Sequence, residues 1–212
     1  SASGQEDHVT LIDCRSLKTT PVPLPEEVRV VILDTCTRRG LVDSAYNERR
    51  KQCESVASYF GKKTLRDVSY KQLNEAKTKI DHTQFKRARH VVQENERVLD
   101  CAESLRLGNL DHVGKLMNSS HKSLRDDFEV SSDALDLIVE NALKAPGCFG
   151  ARMTGAGFGG CAVALVETLK TEDFVKKVLK SYHSSTGKKA RLYVCKPSEG
   201  TSLYTKKEFT AR

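Results

Sequence analysis

Apolar positions along the chain fall into two rhythms. Val9-Thr10-Leu11-Ile12-Asp13-Cys14 reads as a strand, and Val28-Arg29-Val30-Val31-Ile32-Leu33 as a buried strand, β-branched and apolar. Between them Pro21, Pro23 and Pro25 alternate, which excludes helix and favours an extended or edge segment. Helical rhythm then takes over. Asp43 or Ser44 can cap a helix running to about Phe60, with Gly61 and two lysines as its stop. A short helix is expected over 70–80. A long one runs over 83–107, with Phe85, Ala88, Val92, Leu99 and Ala102 as its apolar stripe. Gly108 ends it and Asn109 caps the next, which Leu110, Val113, Leu116, Met117 and Leu124 carry to about Arg125. Ser132 caps another, with Leu135, Ile138, Val139, Ala142 and Leu143 facing in, stopped by Pro146-Gly147. Ala162-Val163-Ala164-Leu165-Val166 is a strand. Thr171 caps a helix buried through Phe174, Val175, Val178 and Leu179, and Gly187 ends it. Residues 190–195 alternate as a last strand. The tail after Pro197 is polar, apart from an edge strand near Leu203-Tyr204. Strands and helices mix without regular βαβ alternation, which predicts α+β, an antiparallel sheet with helices packed on one face.

Composition narrows the classes. With 38% hydrophobic and 30% charged residues the chain is an ordinary globular sequence. The net charge of +7 is spread over helical patterns among acids, so it reads as a solvated surface and not as a nucleic-acid face. No apolar run approaches the ~20 residues a membrane span needs, and no basic-then-apolar leader opens the chain. The seven cysteines are odd in number and contain no C-x-x-C. They imply reduced thiols and a cytoplasmic protein. No histidine arrangement has metal-ligand spacing.

The densest chemical signal is Arg152-Met153-Thr154-Gly155-Ala156-Gly157-Phe158-Gly159-Gly160-Cys161, which holds four of the 13 glycines. Gly155-x-Gly157-x-x-Gly160 has the spacing of a dinucleotide fingerprint, but that motif needs a strand before it and a helix after it. The patterning here gives a helix before and a strand after. The glycines therefore read as a helix-to-strand connection, either a tight turn without a ligand or a backbone cradle for one.

This stretch resembles the third motif of the GHMP small-molecule kinases, in the form carried by galactokinases. Three further blocks resemble the family in its own order. They are Asp43-Ser44-Ala45-Tyr46-Asn47-Glu48-Arg49-Arg50, Arg87-Ala88-Arg89-His90-Val91-Val92, and residues 116–131 with Asp126-Asp127. The resemblance covers about residues 9–200. It implies a ferredoxin-like C-terminal lobe over 28–200. Residues 1–27 are then strands of an N-terminal lobe missing from this sequence, and 201–212 a tail. It implies transfer of the γ-phosphoryl of Mg·ATP to the anomeric hydroxyl of galactose. The family's first lobe carries a G-E-H-x-D-Y segment, a G-L-S-S-S loop and a catalytic Asp in C-G-I-M-D-Q; none of the three is in these 212 residues. No residue here is therefore assigned the catalytic role, and ATP and Mg2+ fall mainly to the other lobe.

The resemblance assigns Tyr46 to the sugar, since an aromatic ring covers an apolar sugar face. It assigns Gly155, Gly157, Gly159 and Gly160 to the sugar and the transferred phosphate, through backbone N–H groups that form an anion-binding concavity, and Thr154 as a further hydroxyl donor. Asp126 and Asp127 read as a helix end holding a turn. Arg49, Arg50 and Arg125 read as ion-pair partners of neighbours such as Glu48 or Asp126. Family members usually carry an Asn-containing segment after the strand at 28–33; here it is Asp34-Thr35-Cys36-Thr37-Arg38-Arg39. Partners implied are galactose, ATP and the other lobe, with no nucleic acid or membrane. The isolated chain is expected to fold at least partly, to lack catalysis, and to self-associate through the face the other lobe would cover. The competing reading is a non-catalytic, galactokinase-like sugar sensor or interaction protein.

Overall fold

The computed structural model describes residues 3–37 and 42–201. Its centre is a four-stranded antiparallel sheet of β3 (Val28–Asp34), β4 (Cys148–Met153), β5 (Cys161–Glu167) and β6 (Arg191–Cys195), in the order β4-β5-β3-β6. The β-branched run is β3, which pairs with both β5 and β6 and so occupies an interior position. Helices α1 (Val42–Tyr59), α2 (Tyr70–Glu75), α3 (His82–Arg106), α4 (Leu110–Asp126) and α5 (Asp133–Leu143) separate β3 from β4, and α6 (Thr171–Thr186) separates β5 from β6. The sheet elements thus run β-α-β-β-α-β, the ferredoxin-like order. β1 (His8–Ile12) and β2 (Thr19–Pro23) form a separate antiparallel pair that contains the alternating prolines.

The sheet's two faces are covered differently. Val31, Leu33, Ala151, Met153, Ala162, Ala164 and Val166 point to one side, where α5 and α6 bury them with Leu135, Ile138, Val139, Phe174, Val178 and Tyr182. On the other side Val28, Val30 and Leu165 meet Val22 and Leu24 of the β1–β2 segment and Ala102, Leu105 and Val113 of α3 and α4. A third cluster joins α1, α2 and α3 through Val56, Leu73, Phe85, Ala88 and Val92. Two crossed Arg–Asp pairs tie the β1–β2 turn to the 3-10 turn Leu65–Asp67: Arg66 to Asp13 at 2.6 Å and Arg15 to Asp67 at 2.9 Å. Each side chain makes two parallel bonds, the geometry in which a guanidinium holds a carboxylate best.

Several expectations are corrected. A strand, β4, lies between α5 and the glycines, so they close a β4–β5 hairpin and not a helix-to-strand connection. The dinucleotide motif still fails, because a strand follows where it needs a helix. Leu99 is 63% exposed and Leu143 is 41% exposed, although both fit the helical period. Each sits at the margin of its stripe, where no neighbouring element covers it. Thr171 does not cap α6. The 3-10 turn Thr168–Lys170 runs directly into the helix, and the Thr171 hydroxyl donates back to the Glu167 carbonyl. α1 begins at Val42, ahead of Asp43 and Ser44. The strand expected near Leu203-Tyr204 lies outside the described residues. The caps at Ser132 and Asn109 and the left-handed stop at Gly187 are as expected.

The edge strand β4 is completed by a helix. α4 crosses it at two glycines: a Cβ on Gly114 would lie 1.9 Å from the Phe149 carbonyl oxygen, and one on Gly150 would lie 2.5 Å from the Gly114 oxygen. This approach lets two side chains of α4 act as ladder acceptors. Asn118 Oδ1 accepts the Ala151 N–H at 3.0 Å, and His121 Nδ1 accepts the Met153 N–H at 3.2 Å. An edge that would otherwise offer free N–H groups is closed in this way.

Candidate functional site

The loop of residues 154–160 begins where β4 ends. Thr154 N–H donates to the Cys161 carbonyl and closes the hairpin. Gly155, Gly157, Gly159 and Gly160 all have positive φ, at 75°, 86°, 128° and 86°, and Phe158 joins them at 60°. Only glycine adopts such values at little cost. Gly157 is also sterically required: a Cβ there would stand 2.1 Å from the Val130 carbonyl oxygen.

Two neighbours pin the loop. The Phe158 N–H donates to the Val130 carbonyl at 2.7 Å. At the far end Gly160 O accepts both the Thr35 N–H at 3.0 Å and the Thr35 hydroxyl at 2.7 Å. Thr35 is fully buried, and Tyr182 Oη donates to its carbonyl. The segment that departs from the family pattern is therefore an anchor of the glycine loop.

The Val130 side of the site rests on a turn after α4. Asp127 is the C-cap of α4, is buried, and accepts from the Ser123 hydroxyl at 3.1 Å and from Arg89. Asp126 pairs with Arg125 at 2.7 Å. Asp127 holds the helix end, as the sequence implies, whereas Asp126 is the last residue of α4 and pairs with its neighbour. Arg49 does more than pair with Glu48: its Nε donates to the Phe128 carbonyl at 2.7 Å, and Nη2 reaches the Glu129 carbonyl at 3.3 Å. Arg87, 2% exposed, donates to the Asp127 carbonyl and to Glu129 Oε2. Hydrogen bonds from the Arg87 guanidinium and from Lys86 hold the Glu129 carboxyl down at about 2.

Tyr46 stands on α1, 56% exposed, one helical turn before Arg49. Its helix and the glycine loop are thus fastened to the same turn, one through Arg49 and the other through Val130. Sequence reasoning missed Arg87, Arg89 and Thr35. A signal was present for the first: an arginine beside Ala88 inside a buried stripe requires a buried acceptor.

Two histidines support this frame. His121 accepts through Nδ1, so its proton sits on Nε2, which faces Asp136 Oδ1 at 3.3 Å. Burial pushes the Asp136 carboxyl up, but the bonds from His121 and Ser131 outweigh it and the net direction is down. His90 lies against the Phe128 ring, 4.7 Å between centroids, with Nδ1 3.0 Å from the Ser123 hydroxyl. Burial lowers its pKa to about 4. The folded state then binds this proton less readily than the unfolded chain, whose histidine titrates near 6.5. Stability conferred by neutral His90 is full above 6.5, falls as pH drops through that value, and levels off below about 4. Between pH 7 and 5, above the carboxylate range, the expected loss is about 2 kcal/mol at roughly 1.4 kcal/mol per unit. Urea unfolding at both pH values checks this, and His90→Gln should remove that part of the pH dependence.

Among the described residues, no three His, Cys, Asp or Glu gather to hold a metal ion. No described helix is long and apolar enough to cross a membrane. A cavity of about 170 Å³ lies between the β1–β2 segment and α3 and α4, and none of residues 154–160 lines it.

Residues 101–185 match the family described as GHMP kinases C terminal. The galactokinase of Haemophilus influenzae is 48% identical over 207 residues, which are 96% of this chain and 54% of that protein. The galactokinase of Mannheimia succiniciproducens is 46% identical over the same shares. The chain spans about half the length of these curated relatives. The crystal structure of Lactococcus lactis galactokinase complexed with galactose superposes with a TM-score of 0.87 at 37% identity, over 94% of this chain and 53% of that one. The crystal structure of L. major mevalonate kinase in complex with R-mevalonate shares the fold alone, at TM-score 0.52 and 20% identity, over 90% of this chain and 49% of that one. Residues 101–185 are thus similar to the C-terminal domain of the GHMP kinases, and along almost its whole length the chain is similar to galactokinases.

Proposed function

We propose that this chain is the C-terminal half of an ATP-dependent galactokinase, which phosphorylates galactose at the anomeric hydroxyl. The observation that carries the reading is the joint anchoring of the Tyr46 helix and the glycine loop on one turn, in a fold that superposes on a galactose-bound galactokinase. Phosphoryl transfer depends on positioning and on stabilising charge. This half supplies positioning. Tyr46 offers a ring to the sugar, and Thr154, Gly155, Gly157, Gly159 and Gly160 offer close backbone approach. The positive φ angles at Gly155, Gly157, Gly159 and Gly160, positions without a Cβ, support close approach of phosphate oxygens to the loop backbone.

The carboxylate that acts on the attacking hydroxyl belongs to the upstream half in this reading, as do the main contacts to ATP and Mg2+. ATP supplies the transferred phosphoryl, and Mg2+ supplies charge neutralisation when bound. Asp126 and Asp127 do not replace the upstream carboxylate in this reading, because they are committed to Arg125 and Arg89. The protein acts in the cytoplasm, a reading supported by the free thiols Cys14, Cys36, Cys53, Cys101, Cys148 and Cys195. Exposed Tyr193 and Val194 on the edge strand β6 give the separated half a surface for self-association. The test is galactose-dependent ADP formation by the longer protein that contains this chain, measured with a coupled assay. Turnover with galactose supports the reading, and turnover only with a different alcohol overturns it.

A further inference from the structure

We infer that Arg87 is a positioning residue for the glycine loop, acting through the turn at 127–130. Four successive carbonyl oxygens of that turn are all engaged. Asp127 O accepts from Arg87, Phe128 O and Glu129 O accept from Arg49, and Val130 O accepts from the Phe158 N–H of the loop. A helix end leaves its last carbonyls without partners, and cationic side chains suit its partial negative charge. Here two guanidiniums satisfy the first three, and the fourth is left to set the height of the glycine loop.

The turn needs this support because Glu129 is held at φ 52°, a left-handed conformation that is strained for a non-glycine residue. Arg87 opposes its relaxation at both ends. One nitrogen holds the Asp127 carbonyl and another holds the Glu129 carboxylate at 2.6 Å, while Nε rests on Gln52 of α1 at 3.3 Å. If Glu129 relaxes, Val130 O moves, and with it the contact that Gly157 is shaped to admit. Arg87 touches neither the loop nor, in the proposed function, either substrate; its effect passes through Val130.

The experiment has two arms. The first uses this chain alone and does not depend on the galactokinase reading. Amide exchange at Phe158 should be at least roughly tenfold faster in Arg87→Met, while Val163 and Ala164 in the sheet keep their protection. The second arm rests on that reading and uses the longer protein. Arg87→Met should lower kcat/KM for galactose about tenfold with the KM for ATP changed less than about twofold. In a Gly157→Ala background, where the loop contact is already broken, the same change should cost less than about twofold. Arg87→Lys guards against a variant that fails to fold. It keeps a cation beside Glu129 but cannot hold the Asp127 carbonyl and the Glu129 carboxylate together in one fork, so the fold should hold while Phe158 exchange accelerates. Unchanged Phe158 exchange in a folded variant overturns the inference, as does a kinetic effect that multiplies fully with that of Gly157→Ala. A longer protein inactive on galactose would overturn the functional reading and leave the exchange arm to decide this one.

Discussion

Gly157→Ala should lower kcat/KM for galactose phosphorylation by about a hundredfold in the longer protein while the chain stays folded. The added methyl meets the Val130 carbonyl oxygen at 2.1 Å and the Val130 Cβ at 2.9 Å, neither of which is the tip of a flexible side chain. It also sits at φ 86°, where alanine is strained. The loop must lift, and the Phe158 bond to Val130 opens. Val130 belongs to the main core and Phe158 packs against it, so the overpacking should also cost stability, by about 1–3 kcal/mol. The coupled assay and a thermal melt on one preparation separate the two effects. Wild-type turnover in Gly157→Ala would show that the loop does not position the reaction.

Gly114→Val should be the most destabilising single change in the fold, at about 4 kcal/mol or roughly 10 °C in melting temperature. Its first carbon would stand 1.9 Å from the Phe149 oxygen and 2.5 Å from the carbonyl carbon, both backbone. Overpacking accounts for part of the loss. The rest follows because α4 must withdraw from β4, which strips the Ala151 and Met153 N–H groups of Asn118 and His121. A buried donor without a partner costs about 1–3 kcal/mol. Urea unfolding of the chain measures it. A loss under 1 kcal/mol would mean that α4 and β4 do not need their close approach.

These two glycines also mark what the sequence makes legible. The loop glycines stand together in a recognisable block, so the candidate site could be proposed by resemblance before any geometry. Gly114 and Gly150 stand alone in a helix and a strand, and only the crossing of α4 over β4 explains them. The same crossing hides β4 itself. Cys148-Phe149-Gly150-Ala151-Arg152-Met153 neither alternates cleanly nor runs apolar. Its strand character comes from pairing with β5 on one side and from the side chains of α4 on the other. The helices, by contrast, are written in local terms: stripes such as Phe85, Ala88 and Val92, caps such as Asn109 and Ser132, and a left-handed stop at Gly187.

The arginines show where local reading fails. Spacing along a helix supports a pair such as Arg125 with Asp126, and that pair forms. Arg49 and Arg87 reach residues some 79 and 40 positions away, a connection no short-range rule contains. Thr35 is similar: its role appears only once Gly160 is brought beside β3. What joins the four blocks of the sequence into one candidate site is therefore a set of bonds to the carbonyls of the turn at 127–130, from the Arg49 and Arg87 side chains and from the Phe158 N–H of the loop.

The measurement that bears most directly on this account is the coupled assay with Mg·ATP and galactose, run on this chain alone after circular dichroism shows it folded, and then on the longer protein. The account predicts no galactose-dependent turnover from the chain alone and clear turnover from the longer protein, lost with Gly157→Ala. Turnover from these 212 residues by themselves, free of contaminating kinase, would contradict it, because the chemistry would then have to lie in groups the structure commits to holding the turn at 127–130.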